Sequence, residues 1–300
     1  MANPLPAPAA SPRSTLIGLA CGAGAALIWG IQAVVSRQSV ADGLGPVDVT
    51  LLRFLTAAAC LLPFGLARLK PFPVGRLGWR RSLVLTLVAG APFATVLVGG
   101  STFAPALHTM IAPSLIPAVT ALIVYLAYGE TSPPARILGL ALIVAGIALV
   151  AGQGLFTGVA DGAWRGDLLF VLAATMWSVF GILARRWKAD ALDITITLSI
   201  LSLAVLPVLA FAVPLKLGSA ALAAVALQAV YQGLLVGVAS VFLYATANQT
   251  LGSARASLFM PLVPAITAAA GAVLLGEWPS ATQLVGMVVV MAGMTIAIRA

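Results

Sequence analysis

The chain is short of charge. Of its 300 residues, 8% are Asp, Glu, Lys or Arg and 61% are hydrophobic. A soluble domain carries roughly 25% charged residues, so this composition cannot build a water-facing surface. The mean hydropathy of +1.10 agrees. One histidine, His108, excludes a metal site built on histidines. The two cysteines, Cys21 and Cys60, fall inside apolar runs and read as small buried hydrophobes, with no disulfide framework or metal spacing. There is no P-loop motif, which disfavours direct use of ATP. The acidic residues Asp42, Asp48, Glu130, Asp161, Asp167, Asp190, Asp193 and Glu277 all fall in loops or at the ends of apolar runs. The middle of each run is therefore without the carboxylate that marks a proton relay or cation path. Scattered carboxylates and one histidine do not make an enzyme's constellation, so no catalytic residue, metal or cofactor is expected.

What the chain does have is a pattern written twice. Pro117, Gly129-Glu130, Gly139 and Gly146 recur as Pro264, Gly276-Glu277, Gly286 and Gly293, 147 residues on in every case (117 to 264). Trp29 and Trp177 repeat at 148. A duplicated, strongly apolar chain is the mark of a secondary transporter whose site lies between its halves.

A helix needs about 20 apolar residues to cross about 30 Å of hydrocarbon. Spans are expected at 16–36, 49–67, 82–101, 109–128 and 136–153, then 167–184, 194–213, 221–246, 256–275 and 281–299. This gives an all-α integral membrane protein of ten helices. Residues 1–15 read as a disordered tail, 16–153 as the first five-helix repeat, 154–166 as a linker and 167–300 as the second repeat. Five is odd, so the second copy enters from the opposite side and the repeats are inverted. Alternating access through a central uncharged cavity is expected, by rocking of helix bundles of one repeat against the other. Pro92, Pro113, Pro117, Pro207, Pro261 and Pro264 fall inside spans and are expected to kink them. Twelve of the sixteen Lys and Arg lie on the side of the two termini, against Arg37, Arg53, Arg165 and Lys216 on the other. The positive-inside rule then puts both termini in the cytoplasm. The +8 charge is an orientation signal and not a nucleic-acid surface.

Together, the doubled Pro…Gly-Glu…Gly…Gly pattern, the Trp early in each half and Leu51-Leu-Arg-Phe54 closely resemble the EamA-type family of the drug/metabolite transporter superfamily. The resemblance runs from about residue 16 to the end. Its finer likeness is to bacterial aromatic amino acid exporters. It implies ten helices in two inverted five-helix repeats around a central cavity, a place in a bacterial inner membrane, and export of small metabolites. No Arg matches Arg53 in the second half, where Ile194 to Ile200 is uncharged. Arg53 is therefore expected to snorkel at one helix end. The small multidrug pumps of the superfamily use a membrane-embedded Glu. Lacking one, this chain fits a neutral or zwitterionic cargo better than a cationic drug.

The candidate substrate-binding residues are aromatic or weakly polar. Trp29 and Gln32 share a helix face, as do Trp177 and Phe180 at the same spacing. Gln32 is costly in lipid and is expected to face the interior. Phe93 beside Pro92, and Tyr244 with Asn248 four residues on, complete the set; Ser114, Thr120 and Thr267 add hydroxyls. Such walls suit a flat apolar side chain, with helix packing as the alternative for each ring. His108, Glu130 and Glu277 are the gate candidates, the two glutamates on opposite membrane faces. Gly18-x-x-x-Gly22, Gly233-x-x-x-Gly237, Gly139, Gly146, Gly286 and Gly293 read as close-packing positions, the last four within the bundle or at a homodimer contact. The expected partners are a small-molecule substrate and the lipid bilayer, with no nucleic acid. The alternatives are a threonine-like amino acid, nucleoside or drug as cargo, or a non-transport membrane protein.

Overall fold

The computed structural model describes residues 12–156 and 162–300. The expected tail over residues 1–11, and residues 157–161 of the expected linker, lie outside the described residues. The rest folds into ten long helices, with no strand among the described residues. They are α1 (Pro12–Ala41), α2 (Pro46–Arg68), α3 (Gly75–Gly100), α4 (Ala106–Tyr128), α5 (Pro134–Phe156), α6 (Ala163–Arg186), α7 (Ala191–Ala212), α8 (Leu222–Leu251), α9 (Ser257–Leu275) and α10 (Ala281–Arg299). The expected spans agree in number, but α1 runs to Ala41, α3 starts at Gly75 and α8 continues to Leu251.

Local chemistry fixes the helix ends. Asp190 caps α7 by accepting from the Leu192 and Asp193 amides, and Ser280 caps α10 in a reciprocal box with Gln283. α4 and α9 both end on glycine in the left-handed region, Gly129 at φ 70° and Gly276 at φ 69°, where a Cβ would be strained. The proline expectation is met most clearly in α3, which breaks at Gly90 just before Pro92. The freed Ala91 N–H donates to Ser202 Oγ of α7 at 2.9 Å.

The surface is apolar and much of the polar chemistry is inside. Leu126, Phe211 and Val273 are 72%, 94% and 78% exposed, whereas Ser36, Thr50, Ser202, Gln228, Gln232 and Thr267 are buried. That is the arrangement a lipid solvent requires.

The packing follows the duplication. α1 packs on α8 and α9 of the second half, and α6 packs on α3 and α4 of the first. α2 lies against α7, and α5 against α10. The halves are therefore interleaved, each helix cluster drawing on both repeats. The cause is complementarity across the halves. A Cβ on Gly18 would come within 2.7 Å of Leu251 Cγ, and one on Gly22 within 2.4 Å of the Phe259 ring. The close packing expected of Gly139, Gly146, Gly286 and Gly293 is met within one chain. A Cβ on Gly146 would lie 2.6 Å from the Gly286 carbonyl, and one on Gly139 2.7 Å from that of Gly293. These four residues close the α5–α10 seam within one chain.

Ten crossings alternate two ends. The basic end carries the start of α1, the end of α10 and the α2–α3, α4–α5, α6–α7 and α8–α9 connections; the far end carries the α1–α2, α3–α4, α7–α8 and α9–α10 connections. At the basic end Arg68 bonds Asp190 (3.1 Å) and Asp193, and Arg186 donates to the Tyr128 hydroxyl. All are solvent-exposed, where ion pairs contribute about 0–1 kcal/mol.

Candidate functional site

The rings expected to line a site form two clusters, each built across the halves. Trp29 of α1 meets Tyr244 of α8 edge-on, ring centres 5.2 Å apart. Trp177 of α6 meets Phe93 of α3 at 4.9 Å and Phe180 at 5.0 Å. Phe93 is buried against the break in α3, while Trp29, Trp177, Phe180 and Tyr244 keep partial exposure. Each ring pair contributes about 0.5–1.5 kcal/mol beyond its buried area. Packing and lining are thus both served by the same rings.

The amides are placed differently from expectation. Gln32 Nε2 donates to Gln232 Oε1 of α8 at 3.4 Å, and Gln232 Nε2 donates to Ser36 Oγ at 2.9 Å. One turn away, Gln228 Nε2 donates to the Val35 carbonyl and the Tyr231 hydroxyl to that of Ile28. Gln228 and Gln232 are fully buried; Gln228 immediately precedes, and Gln232 lies within, a π-helical stretch of α8, Ala229–Ala239. Such stretches are rare and recur at functional sites. Neither glutamine is singled out by the sequence reasoning, although the cost of an amide in lipid that marks Gln32 marks them equally. Asn248 donates to the Tyr244 carbonyl of its own helix. Ser114 is buried with its hydroxyl unpaired, and Thr267 donates to the Gly30 carbonyl. Arg53 departs from simple snorkelling. Its Nη1 is enclosed without a hydrogen-bond partner, and its guanidinium lies 5.7 Å from the Phe54 ring centre.

The gate candidates separate. At the far end Glu277 pairs with Arg37 at 3.2 Å and accepts the Ala106 N–H at 2.7 Å, while Arg37 also donates to the Ser101 carbonyl. One carboxylate and one guanidinium thereby join α1 and α9 to the α3–α4 turn. His108 is buried there. Its Nδ1 faces Asp167 Oδ1 at 2.8 Å and its Nε2 faces the Gln283 amide at 3.4 Å. A proton on Nδ1 satisfies both contacts. Asp48 accepts from the amides of Gly45, Lys216 and Leu217, tying α2 to the α7–α8 connection. At the basic end Glu130 is exposed, with no hydrogen-bond or ion-pair partner among the described residues. A groove of about 420 Å³ lies beside the Arg37–Glu277 pair, and another of about 580 Å³ lies between α9 and α10. Neither falls between the ring clusters.

The chain matches the EamA-like transporter family twice, over residues 16–152 and 164–299. No curated protein matches it. A solved crystal structure of a protein shares 21% identity over 95% of this chain and 96% of its own, with a TM-score of 0.62; at that identity the likeness speaks to fold alone. With the family matched along nearly its whole length, the chain belongs to the EamA-like transporter family. It is a multi-pass membrane transporter, and members of the family are transporters, not enzymes.

Proposed function

We propose that this member of the EamA-like transporter family is a secondary carrier. It exports small metabolites across a bacterial inner membrane, amino acids foremost and aromatic ones first, with both termini in the cytoplasm. The orientation rests on the crowding of Lys and Arg at the basic end. The cargo reading rests on one observation: each repeat-related tryptophan meets a ring from the other half, Trp29 with Tyr244 and Trp177 with Phe93. Rings presented from both halves give a flat apolar side chain two faces to stack on. Gln32 and nearby hydroxyls supply the polar contacts that orient its amino and carboxylate groups. With the span carboxylates Asp48, Asp167 and Asp193 all near helix ends and none in the middle of a span, the cargo moves as a neutral or zwitterionic species down its own gradient.

The test is uptake of labelled Phe, Trp, Thr and nucleosides by proteoliposomes, with and without a pH gradient. Phe and Trp are expected to enter and the gradient to change little. Transport of Thr but not Phe overturns the cargo, and strong stimulation by the gradient overturns the uncoupled mechanism. Trp29→Ala and Trp177→Ala are each expected to cut uptake by roughly tenfold at unchanged yield, the loss of about 1.4 kcal/mol of ring contact.

A further inference from the structure

The two Gly-Glu steps are built alike and bonded unlike. Gly129 and Gly276 turn through the same left-handed conformation, so Glu130 and Glu277 leave α4 and α9 in the same manner. Glu277 is then tied to Arg37 and to the start of α4. Glu130 is exposed and unpaired among the described residues.

The repeat names what Glu130 lacks. The 148-residue step that carries Trp29 to Trp177 carries Arg37 to Arg185 (37 to 185). The same bookkeeping holds in the packing: Gly18 and Gly166 are 148 apart, and their close neighbours Leu251 and Ala104 are 147 apart, each pair within 2.7 Å of a built Cβ. Arg185 closes α6 at the basic end, is exposed, and has no side-chain partner among the described residues. The acid and the cation of the far-end lock are therefore both present at the basic end, unlocked. At the far end Arg37 and Glu277 both reach the α3–α4 turn.

We propose that Glu130 and Arg185 form the lock of the basic end. In a second conformation they pair as Glu277 and Arg37 do here, and the Arg37–Glu277 pair parts. Because the two halves carry the same pattern and the same family match, the arrangement held by one is open to the other. Opening one lock while closing its counterpart exchanges like for like, so the two states stay close in energy. This rests on the secondary-carrier reading above and adds a gate residue to it, Arg185.

The experiment is thiol cross-linking of the full chain in lipid, in a Cys21→Ala, Cys60→Ala background. Two pairs are compared: Arg37→Cys with Glu277→Cys, and Glu130→Cys with Arg185→Cys. The far-end pair is expected to cross-link readily with a short bifunctional reagent and the basic-end pair poorly. Adding Glu277→Gln, or separately Arg37→Gln, to the basic-end pair is expected to raise its cross-linking several-fold. The two openers break one lock from opposite sides, so either suffices if the other yields no folded protein. A basic-end yield that neither opener changes overturns the proposal, as does one already equal to the far-end yield without them. No transported molecule is needed, so a failure of aromatic transport and a failure of this lock are read separately.

Discussion

At the far end Glu277 holds Arg37 at 3.2 Å and the Ala106 amide at 2.7 Å, while at the basic end Glu130, the same residue one repeat earlier, is exposed and has no partner among the described residues. Local sequence does not account for the difference, since both glutamates follow a glycine in the same conformation. Tertiary placement does. Arg37 and Glu277 sit where α1 and α9 converge on the α3–α4 turn. His108 with Asp167, and Asp48 with Lys216, add further ties at that end. In a duplicated protein such an asymmetry marks a conformational state, because equivalent residues have equivalent bonds open to them.

The comparison breaks most completely at the seam both ends share. Gly146→Leu is expected to lose about 3 kcal/mol or more, since α5 and α10 meet backbone to backbone there and extra atoms have nowhere to go. Thermal unfolding in detergent checks it, and labelling at both ends should rise together. Glu277→Gln comes next. The part-exposed lock loses a charge-assisted bond of about 1.5 kcal/mol, so an Ala106→Cys probe, buried behind the lock, should react with an impermeant maleimide roughly tenfold faster. His108→Ala removes a tie that lies beside the lock, and the same probe should speed up by about threefold, or under 1 kcal/mol. Glu130→Gln is the smallest in this state. Melting temperature and far-end labelling should stay unchanged, within about 0.5 kcal/mol for a surface substitution, while transport slows.

The fold was legible where composition and periodicity decide it. Ten spans, their inversion and the two capped Gly-Glu steps follow from apolar length and the doubled pattern. Packing between the halves was not. Gly139, Gly146, Gly286 and Gly293 announce a close approach, but a glycine does not say whether its neighbour lies in the same chain. The ring pairs illustrate the same limit: Trp29 and Trp177 are visible as repeat mates, yet their partners Tyr244 and Phe93 are set by how α1 and α6 cross the other half. Gln228 and Gln232 were readable from the cost of an amide in lipid, but the π-helical stretch that begins at Ala229 alters the spacing by which a helix face is recognised. Arg53 and Asn248 show that a side chain's choice between a neighbour, its own helix and no partner is a tertiary matter.

The reciprocal behaviour of the two ends is measured most directly by pulsed electron-spin distances in lipid, on the full chain. One spin pair spans the far end at Phe103→Cys and Leu274→Cys, the other the basic end at Leu126→Cys and Ser253→Cys, each read with and without Glu277→Gln. The expected result is a far-end distance that lengthens while the basic-end distance shortens. A far end that opens with the basic end unmoved, or two ends that move in the same sense, would contradict the account.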